Sequence, residues 1–204
     1  MPRLLLLALA CLVAGCGTPT PKPPPAASAS APPLFDDLGD LHRDIGTPVP
    51  AAQRYFDQGL RMAYGFNHEA ARRAFAEAER LDPRCAMCAW GQALVLGPNI
   101  NLPMDPLLAA QATELATRAV ALSANARPAD RALIEALQLR YTNPAPQDRA
   151  TLDAAYAEAM GKVVARFPGD DDAATLFAEA LMDLTPWAYW TAAGQQTTHT
   201  PRIL

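Results

Sequence analysis

The 204-residue sequence is poor in the residues from which most catalytic sites are built. It has only three histidines, His42, His68 and His199, and from residue 51 onward a single serine, Ser123. That serine lies in no Gly-x-Ser-x-Gly frame and no histidine is placed to serve it, so nucleophilic catalysis has no candidate. Glycine-rich phosphate loops are missing. Positive charge has no excess: 17 Lys and Arg stand against 21 Asp and Glu, a formal charge of −4. Without a basic surface to hold a phosphate backbone, nucleic acid is excluded as an expected partner. Aromatic residues make up 7%, few for a sandwich or barrel, and no segment reads as a convincing strand. The expectation is an all-α protein with no enzymatic activity and no cofactor.

What is abundant is unevenly placed. Ten of the 20 prolines fall within the first 50 residues, whereas most alanines follow residue 50. After Met1-Pro2-Arg3, residues 4–13 are uninterruptedly apolar, a run shorter than the roughly 20 residues needed to cross a bilayer, and read as a secretory signal. Leu12-Val13-Ala14-Gly15-Cys16 resembles the bacterial lipobox. That resemblance implies that residues 1–15 are removed and Cys16 carries lipid, anchoring the chain on the periplasmic side of the cell envelope. Gly17, where an Asp would favour retention in the inner membrane, points to the outer membrane.

Residues 16–50 form a Pro/Ala/Ser-rich tether and an arm. Up to Pro33 they have too little apolar surface to offset chain entropy, so a disordered, semi-rigid spacer is expected. Residues 34–50 have scattered apolar residues (Phe35, Leu38, Leu41, Ile45) and should dock as a short helix or arm.

From residue 51 the spacing becomes helical. Prolines 83, 98, 103, 106, 128, 144, 146 and 168 all fall where a helix should start or stop. The expected helices are 51–64, 68–81, 85–97, 106–123, 128–141, 148–166 and 171–184, joined by short turns into antiparallel pairs. Within 52–85, Tyr55, Gly59, Ala71, Phe75, Ala78 and Pro83 occupy positions that resemble a tetratricopeptide repeat, in which Gly59 and Ala71 let helices approach and Tyr55 and Phe75 fill the gaps. Later repeats are irregular, Pro128 following Pro83 by 45 residues and Pro168 following by another 40. The stretch Cys85-Ala-Met-Cys88-Ala-Trp90-Gly91-Gln-Ala93-Leu-Val-Leu-Gly97-Pro98-Asn99-Ile-Asn101, with Ala63 to His68, is similar to a group of exported bacterial tetratricopeptide proteins. The resemblance implies a TPR-like α-solenoid over residues 51–204. It also implies truncation at the C-terminus, since the chain stops after Trp187, Tyr189 and Trp190 without a polar capping helix.

Cys85 and Cys88 open the third helix. Haem attachment needs His at position 89, which is Ala; a redox motif needs a βαβ setting; a metal needs ligands beyond this pair. A local disulfide, buried free thiols and a metal or redox site remain as alternatives. Asn67 and His68 are expected to cap a turn, and Asp170-Asp171-Asp172 to cap the last helix and complement its dipole. The repeat register puts Gln53, Phe56, Leu60 and Tyr64, then Met87, Trp90 and Leu94, then Thr175, Glu179 and Met182 along a concave face. The resulting expectation is a lipid-anchored scaffold that binds protein or peptide segments of apolar or basic character. The alternative for the face is that Phe56, Tyr64 and Trp90 lie buried beneath the arm. The alternative for function is a periplasmic metal-binding or thiol-redox protein using Cys85 and Cys88.

Overall fold

Pro50 has no amide hydrogen to lose at the first turn of a helix, and with it α1 begins (Pro50–Tyr64). The computed structural model describes residues 31–204, so the leader, Cys16 and the tether as far as residue 30 lie outside the described residues. After α1 come α2 (His68–Leu81), α3 (Ala86–Leu94), α4 (Ala109–Leu122), α5 (Pro128–Gln138), α6 (Ala150–Arg166), α7 (Asp171–Leu184) and a short C-terminal α8 (Thr200–Ile203). Pro106–Leu108 and Ser123–Asn125 are single 3-10 turns flanking α4. No helix among the described residues is long and apolar enough to cross a membrane.

Each helix from α1 to α7 packs on the next in sequence, and α3 also meets α1 and α5. All nine residues of α3 are buried, as expected of a helix apolar on every side. It is the centre of the core. Small residues make the close approaches possible: α4 buries Ala109, Ala112, Ala116 and Ala119, one narrow stripe at helical spacing. Phe75 of α2 is fully buried, and its ring lies against the backbones of both Gly59 in α1 and Gly91 in α3. A Cβ at either glycine would come within 2.6 Å of a ring carbon.

In the turn between α1 and α2, Phe66 takes the left-handed conformation (φ 59°). The Asn67 amide donates to Met62 O and the Phe66 amide to Ala63 O, a Schellman closure with a bulky residue where glycine is usual. Asn67 precedes α2 but makes no side-chain cap. The third helix is shorter than expected, ending at Leu94 rather than residue 97. Pro98 to Leu102 then folds into a tight turn in which Asn99 and Leu102 exchange backbone hydrogen bonds and Asn99 Oδ1 accepts from the Asn101 amide.

Candidate functional site

The arm is part of the same compact unit as the helices. It contains no helix before Pro50 and runs along α1 as an extended strand of chain. Of its apolar residues Phe35, Leu38 and Leu41 are exposed, and only Ile45 and Val49, next to α1, rest partly buried on the core. Polar side chains of α1 hold its backbone. Gln58 Nε2 donates to Pro33 O while Gln58 Oε1 accepts from the Phe35 amide, at 2.9 and 2.8 Å. Gln53 repeats the arrangement, donating to Arg43 O and accepting from the Ile45 amide at 2.8 and 3.1 Å. In both cases one glutamine amide straddles a single residue, pairing the carbonyl before it with the N–H after it. Tyr55 Oη donates to Pro32 O, Arg61 Nε to Leu41 O, and the Arg43 amide to Asp57 Oδ1.

One arm side chain is driven inward. Arg43 is 7% exposed and its guanidinium fits among three carboxylates from two helix starts. Nε and Nη2 donate to Asp130 Oδ1, Nη1 and Nη2 to the two oxygens of Asp170, and Nη1 to Asp172 Oδ2, all at 2.7 to 3.1 Å. Asp130 stands in the first turn of α5; Asp170 is the residue before α7 and also caps it, accepting from the Ala173 amide. Tyr64, at the end of α1, donates its hydroxyl to Asp172 Oδ1 at 2.7 Å. Burial alone would lower the Arg43 pKa, but the hydrogen bonds and charges of Asp170, Asp130 and Asp172 outweigh it and raise it. Burial opposes ionisation of Asp170 as well, yet the bond from Arg43 and the Ala173 amide hold its carboxyl below the usual value. Tyr64 is pushed up by burial and then by the Asp172 charge. Arg127 adds a second cation on Asp130, so three carboxylates face two guanidinium groups and the pocket keeps a net negative charge. A groove of about 780 Å³ runs beside it between residues 41–44, 127–129 and 166–172.

No family model, curated protein or solved structure matches the chain.

Of the residues expected along a concave face, Gln53 holds the arm directly and Tyr64 bonds Asp172 beside the Arg43 pocket. Phe56, Met87 and Trp90 are core residues instead, each at most 1% exposed, and Phe56 packs against Phe75 with ring centroids 5.3 Å apart. Their apolar surface is consumed between helices and is not on a face. Glu179 is elsewhere, in a half-buried position near Arg140, where burial raises its pKa. Cys85 and Cys88 are buried and joined by a disulfide, S–S 2.04 Å, and Cys85 Sγ caps α3 by accepting from the Cys88 amide. No group of three or more His, Cys, Asp or Glu suited to a metal ion occurs among the described residues. Asp57, Gln58, Asp130 and Arg43 were not expected at a site. Arg43 meets its acids 87 to 129 residues away in sequence, and no local pattern announces such a pairing.

Proposed function

We propose that the protein is a lipid-anchored scaffold of TPR-like helix pairs whose groove binds extended, arginine-bearing segments of other proteins. The arm carries this reading. Two glutamine amides pair with backbone groups and need no particular side chain, while the acid pocket selects a guanidinium. A partner segment with the same chemistry competes with the arm. The order of helix packing and the glycine and alanine contacts support the repeat reading.

The test is a labelled peptide of residues 31–48 titrated against the full chain carrying Arg43→Ala, whose own arm is loosened. It is expected to bind, more tightly than to the unaltered chain. The same peptide with alanine at position 43 is expected to bind at least tenfold more weakly, about 1.4 kcal/mol. Equal binding of the two peptides, or none by about 1 mM, would overturn the reading.

Anchoring rests on the lipobox resemblance at Cys16. In cells, Cys16→Ala should move the protein from the membrane to the soluble fraction; unchanged sedimentation would remove the anchor from the proposal.

A further inference from the structure

The seat that takes Arg43 continues past it along the arm. Asp44 Oδ1 accepts from the Gly46 amide at 2.9 Å and closes a turn in which Gly46 stands at φ 69°, in the left-handed region that most side chains avoid. Between them Ile45 is half-buried against the core, its amide held by Gln53. Thr47 then meets the body of the protein: its hydroxyl donates to Asp82 Oδ2 at 2.6 Å and accepts from the Val49 amide. Asp82 is buried in the corner between α2 and α3, where its other oxygen accepts from the Arg84 amide. The disulfide of Cys85 and Cys88 closes the same corner. A charge, a buried apolar contact, a left-handed turn and a hydroxyl therefore follow one another within five residues.

The arm leaves part of this corner empty. A cavity of about 440 Å³ lies between residues 45–48 and a wall that includes Cys85, Met87 and Leu122. Ile45 borders it, so an apolar side chain longer than isoleucine has room at this position. That room bears on competition. A tethered arm acts at roughly millimolar effective concentration, and a free segment at lower concentration displaces it only by binding more tightly.

We infer that the partner segments carry the signature Arg-Asp-apolar-Gly-Thr, the arginine entering the carboxylates of Asp130 and Asp170, the apolar residue lying against the core, and the threonine hydroxyl donating to Asp82. This signature presupposes that the arm occupies a binding groove, and it names the ligand that the groove selects.

The probe is the labelled peptide of residues 31–48, titrated against the full chain carrying Arg43→Ala and compared with singly substituted peptides. Thr47→Val, which keeps the shape and removes the hydroxyl, should bind at least fivefold more weakly, because Asp82 loses a donor. Gly46→Val should weaken binding by a similar factor, a β-branched residue being strained at this φ. Ile45→Asp should bind at least tenfold more weakly, and Ile45→Met as tightly as the parent or more so. On the chain, Asp82→Ala should remove the difference between the parent and Thr47→Val peptides; if that variant does not fold, the peptide series decides alone. Binding that requires Arg43 but is unchanged by Thr47→Val, Gly46→Val or Ile45→Asp, or is weakened tenfold by Ile45→Met, would overturn the signature and leave the arginine-selective groove standing. No binding of the parent peptide by about 1 mM would remove both.

Discussion

Replacing Arg43 with alanine should lower the melting temperature by on the order of 10 °C and free the arm. Asp130, with a side chain 1% exposed, and the partly covered Asp170 and Asp172 would be left together without their main cation. Breaking a buried pair in this way costs about 3–5 kcal/mol, and a domain of this size loses roughly 2–4 °C per kcal/mol. Hydrogen exchange at the Phe35, Arg43 and Ile45 amides, each bonded to an α1 side chain, should accelerate towards the rate of free chain. Arg43→Lys should fall between, because an ammonium cannot reproduce a fork shared by three carboxylates. Adding Asp130→Asn to Arg43→Ala should recover part of the loss by removing one of the stranded charges. The pH dependence has a defined sign. The Asp170 carboxyl is held below its ordinary value in the folded protein, so its contribution is complete above the ordinary Asp range, near 3.9, and is lost as pH falls through the folded value. The arm should stay docked at neutral pH and detach only in strong acid, a step that Arg43→Ala abolishes. An unchanged melting temperature and unchanged exchange in Arg43→Ala would show that the arm is not held by this pocket.

The glycines around Phe75 should come next, with a smaller net loss. A methyl group at position 59 would meet Phe75 Cε1 at 2.6 Å, and one at position 91 would meet Phe75 Cδ1 at the same distance. The ring is fully buried with Phe56 beside it, so it has nowhere to retreat. Overpacking of this kind costs about 1–3 kcal/mol, set against a gain of roughly 1 kcal/mol from the better helix propensity of alanine. Gly59→Ala and Gly91→Ala should each lower the denaturation midpoint at an unchanged m-value, and the double substitution should do so further. Two controls give the mechanism its sign. Gly169→Ala, where a Cβ meets nothing, should be close to neutral, and Phe75→Leu should be less harmful in the Gly59→Ala background than alone. If Gly59→Ala is stabilising, propensity and not the ring contact decides at this position.

The expected helices match those found closely because their ends are written in local chemistry. Pro50 and Pro128 open α1 and α5, and Asp170 caps α7 as its position suggested. The third helix stops early: the Leu96 and Gly97 amides bond three residues back, to Ala93 O and Leu94 O, a tightened turn that ends ahead of Pro98, whose ring disfavours helix at the residue before it. The short α8, with Arg202 lying over the Phe177 ring, has no periodicity that could announce it. Phe56, Met87 and Trp90 illustrate the limit of register arguments: a helical wheel places a residue on a face but cannot say whether another helix covers that face. The arm illustrates a different one. Its apolar residues suggested the mode of docking; Ile45 does rest on the core, but most of the docking falls to the backbone and one arginine, through partners that only the three-dimensional arrangement brings near.

The Arg43 contacts also bear on how the chain folds. Helices that touch mainly their sequence neighbours can assemble and come apart piecemeal, from either end. Arg43 ties the residues ahead of α1 to the starts of α5 and α7, and Tyr64 ties the end of α1 to Asp172. Loops of some hundred residues are costly to close before the intervening helices have formed, so the arm should dock late in folding. While the arm is docked, these contacts should couple α1 to α5 and α7, so that helices which could otherwise fray one by one melt more nearly together.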